Sequence, residues 1–82
     1  VKLLANDIHH SAIIDQKEIE RAKQLEIMGF QSYDALHIAC AENSNADIFL
    51  TTDDKLINKA NRLSKQLNIR VENPLMWLRK IL

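Results

Sequence analysis

Asp34 and Asp53 are the two residues of this 82-residue chain whose type and placement could do chemistry together. Ile48-Phe49-Leu50 is a short apolar run of strand formers, and Thr51-Thr52-Asp53-Asp54 follows it. In open α/β sheets, ligands bind at this carboxyl end of a strand. Asp34 leads into Ala35-Leu36-His37-Ile38-Ala39-Cys40-Ala41, a stretch that is apolar nearly all round. A carboxylate entering a core helix from one end is either exposed in a cleft or held by a cation. Two carboxylates at the openings of helices that flank one strand could converge. They would repel each other, and a divalent cation would relieve the repulsion. Mg²⁺ or Mn²⁺ suits such a pair, because it prefers oxygen ligands and keeps waters. A metal held there activates a water and stabilises the charge on an attacked phosphate. A plainer reading competes with this one. Asp53, or Thr52, is an N-cap, and Asp34 is a first-turn acid favoured by the helix dipole. Spacing alone leaves both readings open.

Other candidates carry less. His37 lies one turn after Asp34 on the same face and suits a core histidine bonded to backbone. Cys40 reads as a small buried apolar residue. His9 and His10 are adjacent, so their side chains diverge on any regular element. Trp77 reads as core or interface. The sequence has no glycine-rich phosphate loop, no Cys/His zinc spacing and no serine-nucleophile motif.

The elements that position the two acids follow from the apolar periodicity. Residues 1 to 14 suggest the tail of a helix and then an extended piece, His10 to Ile14. Asp15 suits an N-cap, with Glu18 completing a capping box. Ile19, Ala22, Leu25 and Met28 recur at helical spacing, and Gly29 stops that helix. Ser32 is placed to cap a second helix from about Tyr33 to Asn43. Ile48 to Leu50 reads as a buried strand of a parallel sheet. A third helix is carried by Leu56, Ala60, Leu63 and Leu67. Ile69 and Val71 mark a second strand. Asn73 caps and Pro74 opens a last helix, striped by Leu75, Leu78 and Leu82. Two strands joined through a helix predict a parallel crossover. The fold class is α/β.

Composition narrows the setting. A single cysteine excludes a disulfide framework within the chain and fits a reducing compartment. There is no leader pattern and no apolar run long enough to span a bilayer, so the expectation is a cytoplasmic protein with no membrane partner. Net charge is zero, yet its distribution is uneven. Residues 1–54 hold four Lys/Arg and ten Asp/Glu, whereas residues 55–82 hold seven Lys/Arg and one Glu. Either the exposed helix faces happen to differ in sign, or an acidic site lies next to a phosphate-holding basic surface.

The order, spacing and wording of three segments resemble the C-terminal half of a PIN domain. The segments are Tyr33-Asp34-Ala35-Leu36-His37-Ile38-Ala39, Ala46 to Asp53, and Val71-Glu72-Asn73-Pro74. That family includes the toxin nucleases of bacterial VapBC toxin–antitoxin pairs, and the resemblance covers roughly residues 15 to 76. It implies a parallel sheet flanked by helices and a Mg²⁺- or Mn²⁺-dependent ribonuclease site. The family's third acid maps to Asp34, and its Thr-x-Asp pattern maps to Thr51-Thr52-Asp53. The resemblance makes Asp34 and Asp53 metal ligands, Asp54 a further ligand and Thr51 a polar neighbour. The family's first acid ends an N-terminal strand, and no such strand is legible before Asp15. Its second acid has no clear counterpart, Asp7 being the only earlier candidate. Residues 1–82 therefore read as one truncated PIN-like domain, short of its N-terminal strand. The strand at Ile48–Leu50 would then keep an open apolar edge, and an open edge seeks an oligomer partner.

Two functions follow. One is metal-dependent hydrolysis of RNA, with Lys55, Lys59 and Arg62 contacting the RNA backbone and an antitoxin as cognate partner. The other is a non-catalytic half-domain that serves as an oligomerisation or antitoxin-binding module. A nucleotide-binding α/β module is a third class, disfavoured by the missing glycine loop.

Overall fold

A computed structural model describes the backbone of residues 3–5 and the whole of residues 15–82. The element order is β1 (Leu3–Ala5), α1 (Gln16–Ile27), α2 (Ser32–Asn43), β2 (Ile48–Leu50), α3 (Asp54–Arg62), a 3-10 turn (Ser64–Gln66), β3 (Arg70–Glu72) and α4 (Pro74–Ile81). The three strands form one parallel sheet in the order β1-β2-β3. This is a small α/β fold with parallel strands flanked by helices, as the sequence implied.

The N-terminal expectation is corrected. Leu3–Ala5 is a strand rather than the tail of a helix, and Leu3, Leu4 and Ala5 face Ile48, Phe49 and Leu50. β2 is therefore bonded on both sides, and the edge expected to be open is covered by the chain itself. The extended piece at His10 to Ile14, and the candidates Asp7, His9 and His10, lie outside the described residues.

Local chemistry explains the helix ends. Asp15 accepts from the Glu18 N–H while the Glu18 carboxylate accepts from the Asp15 N–H, which completes the capping box. α1 and α2 both stop in the same way. Gly29 (φ 114°) and Asn45 (φ 62°) take positive φ just past the caps. The next residues, Phe30 and Ala46, donate back to the Leu25 and Ala41 carbonyls, while Gly29 and Asn45 donate to Glu26 and Glu42. These are Schellman closures, sealed by buried Phe30 near Leu25 and buried Ala46 near Ala41. A methyl at Gly29 would meet nothing within 4 Å, so only its backbone resists substitution. Gly29→Ala is expected to cost more than about 1 kcal/mol, read as a lower denaturation midpoint. An unchanged midpoint would show that the turn tolerates a side chain.

The Ser32 expectation is also corrected. α2 begins at Ser32 with Gln31 as cap and no side-chain cap bond. The Ser32 hydroxyl instead donates to the Glu26 carboxylate at 3.0 Å. Leu67 lies beyond α3, following the 3-10 turn, and is buried there. The expected stripe of α4 forms, yet no residue of that helix is buried.

α1 packs chiefly against α2, and α3 against β3. Leu25, Ile38 and Ile48 are the largest fully buried side chains. Each contributes roughly 2 kcal/mol of transfer free energy. Two polar braces hold the α1–α2 hairpin to the rest. At one end the Lys59 ammonium donates to the Gly29 carbonyl at 2.6 Å. At the other, Arg21 grips Glu42 through Nε (2.7 Å) and Nη2 (3.1 Å) and donates to the Gln66 carbonyl. Glu42 also accepts from the Asn68 N–H at 2.8 Å. No described helix is long and apolar enough to cross a membrane.

Candidate active site at the carboxyl end of β2

Thr51 and Asp53 stand where β2 gives way to α3, and Asp34, at the opening of α2, lies near enough to feel the Asp53 charge. Thr51 is buried, and its N–H donates to the Glu72 carbonyl at 3.0 Å, which carries the β2–β3 pairing one residue further. Its hydroxyl oxygen accepts from the Asp53 N–H at 3.2 Å. A fixed strand end thus orients Asp53. Asp53 is the N-cap of α3, with one oxygen, Oδ1, accepting from the Leu56 N–H at 3.1 Å. Among the described residues Oδ2 accepts no hydrogen bond, so it stays available to a cation. The capping reading and the ligand reading are compatible: each uses a different oxygen of one carboxylate.

Asp34 lies in the first turn of α2 and is half-buried. Unlike Asp53 it caps nothing, and among the described residues it accepts no hydrogen bond. Burial pushes its carboxyl above the usual carboxylate range, and the Asp53 charge pushes it the same way. His37 and Lys59 pull it back down. Asp34 therefore feels the Asp53 charge across the openings of two helices. His37 stands edge-on to Tyr33 at 4.1 Å and faces Phe49 at 6.5 Å, which keeps it against the core. Lys59, tied to Gly29, also lies 5.9 Å over the Phe30 ring.

The raised proton affinity of Asp34 has a stability consequence. A carboxyl whose affinity is raised by folding contributes stability while protonated, and that contribution is lost as pH rises through its folded pKa. At neutral pH the ionised Asp34 therefore weighs against the fold. Asp34→Asn is expected to raise the melting temperature at neutral pH in metal-free buffer. The gain should vanish below the ordinary carboxylate range, where Asp34 is protonated in both states. Thermal melts of both proteins at acid and neutral pH read this directly. A variant less stable at neutral pH would refute the cost assigned to Asp34.

The other site expectations fall in different places. Asp54 is exposed at the start of α3 and lines a separate groove beside β3 and α4. It is not among the charges that act on Asp34. Lys55 and Arg62 are exposed, and with Lys59 they share one face of α3 by their spacing. Lys59 is half-buried and engaged with the α1–α2 turn. Cys40 is buried, and burial, with Glu18 beside it, pushes its thiol up to about 11. It is a small buried core residue, as its sequence context implied.

The described donor set is two carboxylates. No group of three or more His, Cys, Asp or Glu side chains gathers among the described residues. Mg²⁺ commonly binds through one or two carboxylates, with waters and substrate phosphates completing its shell. Asp34 and Asp53 fit that habit. The brace between Arg21 and Glu42 carries no sequence signal, since its partners lie on different helices. The chain matches no protein-family model, no curated protein and no solved structure.

Proposed function

We propose that the chain carries a divalent-metal-dependent ribonuclease site of the PIN kind, with Asp34 and Asp53 as metal ligands. One observation carries the reading: burial and the charge of Asp53, an acid at the opening of another helix, raise the proton affinity of Asp34 near the carboxyl end of β2, and among the described residues Asp34 accepts no hydrogen bond. A carboxyl with raised proton affinity beside a second acid at a strand end is characteristic of functional sites. When bound, Mg²⁺ or Mn²⁺ would polarise a water and offset charge on the attacked phosphate. The chain's own residues have separate tasks. Thr51 fixes the Asp53 backbone. Lys59 ties the turn before α2 to α3 and so holds the two helix openings together. Lys55 and Arg62 offer exposed cations to the RNA phosphates. Asp54 is a ligand only if the α3 opening turns it toward the pair. In this reading the protein is cytoplasmic and acts as the toxin of a toxin–antitoxin pair, with an antitoxin protein as partner. The deciding experiment is cleavage of single-stranded RNA, with and without Mn²⁺, by the wild type and by Asp34→Asn.

A second reading is a non-catalytic PIN-like module that binds a partner chain. It is favoured by the lack of a third carboxylate beside the pair among the described residues. The same assay separates the two: the module gives no Mn²⁺-dependent cleavage.

A further inference from the structure

Resting on the nuclease reading, we propose that Tyr33 is a stacking platform for one unpaired nucleobase, next to the phosphate that Asp34 and Asp53 would address. This adds a contact to the base, where the site so far offers contacts only to metal and phosphate. The chain has four aromatic residues. Phe30 and Phe49 are buried, and Trp77 is half-buried. Tyr33 alone is exposed, at 67%. It stands in the first turn of α2, one residue before Asp34, on a helix whose middle is core.

Three rings run from the sheet to solvent along α2. His37 lies 6.5 Å from Phe49 of β2, and Tyr33 lies 4.1 Å from His37, edge to face at 65°. Edge-to-face packing is a favourable aromatic geometry. The Tyr33 ring is therefore held to the fold on one side and open to water on the other. His37 also acts on Asp34, whose carboxyl it draws down. One imidazole thus borders both the acid and the ring. With 3.6 residues per turn, Tyr33 lies only about 100° round α2 from Asp34. A ligand engaged at Asp34 can reach the ring without crossing the helix. The Lys59 charge reaches Asp34 as well, and Lys55 and Arg62 are exposed on α3. Acids for a metal, cations for phosphate and an open ring match the three parts of a nucleotide. An apolar protein side chain would use the ring and leave those charges without partners. Every base has a π-face, so stacking of this kind tolerates any sequence. It does require an unpaired base, because within a duplex the base faces are already covered by their neighbours.

Binding of a labelled single-stranded oligoribonucleotide to the full chain, followed by fluorescence anisotropy, tests this. It is read in EDTA and again in Ca²⁺, with the strand recovered intact. Tyr33→Ala should weaken binding about tenfold, the scale of one stacked base. Tyr33→Phe should bind as the wild type does, because it keeps the ring. Tyr33→Leu should fall with Tyr33→Ala, because it keeps apolar bulk and loses the π-face. All three should keep the far-UV circular dichroism of the wild type, since the side chain they change is exposed. An abasic strand of the same length should bind the wild type and Tyr33→Ala alike. Equal affinity of the wild type and Tyr33→Ala for the single strand overturns the platform. So does a wild type that binds no single strand, or a Tyr33→Leu protein that binds as tightly as Tyr33→Phe. The nuclease reading fails separately. A chain that binds through Tyr33 yet cleaves nothing with Mn²⁺ keeps the platform and loses the nuclease. Mn²⁺-dependent cleavage with binding indifferent to Tyr33→Ala keeps the nuclease and loses the platform.

Discussion

Asp34→Asn is expected to reduce Mn²⁺-dependent RNA cleavage by at least about 100-fold, since even the supporting partners of metal ligands cost 10- to 100-fold when removed. The substitution keeps shape and removes charge. Asp34 has no hydrogen bond among the described residues, so no structural bond is broken with it. The loss should therefore fall on metal affinity and turnover while the fold is kept. Mn²⁺ binding followed by electron paramagnetic resonance separates the cases. Weakened binding together with lost cleavage supports Asp34 as a ligand. Cleavage unchanged in the variant, in material free of host nuclease, would remove Asp34 from the site. The opposite signs at neutral pH are informative: the variant should be less active yet more heat-stable. A group kept at a cost to stability is how functional carboxylates commonly behave.

Glu42→Ala is expected to cost about 3 kcal/mol, the scale for breaking a buried charge pair. Glu42 is the hub of the far brace, with its side chain 7% exposed. Its removal would take the carboxylate from the Arg21 guanidinium, which keeps the Gln66 carbonyl, and the acceptor from the Asn68 N–H. Arg21 is 21% exposed and regains some water, which places the cost at the lower end of that scale. For a domain of this size the melting temperature should fall by roughly 15 °C. Differential scanning calorimetry of both proteins gives the answer. A fall of only a degree or two would mean that the Arg21 contacts add little beyond apolar packing. Glu42 and Asp34 occupy opposite ends of α2, so the same experiment asks whether the hairpin stays seated once one brace is gone.

What the sequence revealed depended on how far apart the interacting groups lie. Asp15 with Glu18, and Asn73 with Pro74, were legible because each cap closes within three or four residues. Gly29 was legible for the same reason, and Phe30 packs back as its position implied. The Ser32 cap was misread because Glu26, at the end of the preceding helix, offers the hydroxyl a charged acceptor. β1 was missed because three apolar-leaning residues have no periodicity of their own, and Leu3 is identified as strand only by its partner Ile48. The Arg21–Glu42 brace was invisible for the same physical reason. At the site, the residue types and both helix openings could be read in advance. The division of Asp53 between a cap and a free oxygen could not, because it is a property of the folded turn. The stripe on α4 was legible too, but periodicity says which face is apolar and not what lies against it.

β2 is hydrogen-bonded along both edges, although it is only three residues long. Release of its amides to solvent requires the separation of both neighbouring strands, whereas β1 or β3 needs only one. In the hierarchy of local openings, a segment of this kind exchanges near the global unfolding limit. The chain leaves β2 into buried Thr51, whose hydroxyl accepts from the Asp53 N–H, so the sheet sets where Asp53 begins α3. Asp34 rides instead on α2, which is seated on the core by Ala35, Ile38 and Ala39. The pair thus joins a carboxylate placed by the sheet to one placed by the helix layer, so a change in either part of the core would alter their separation.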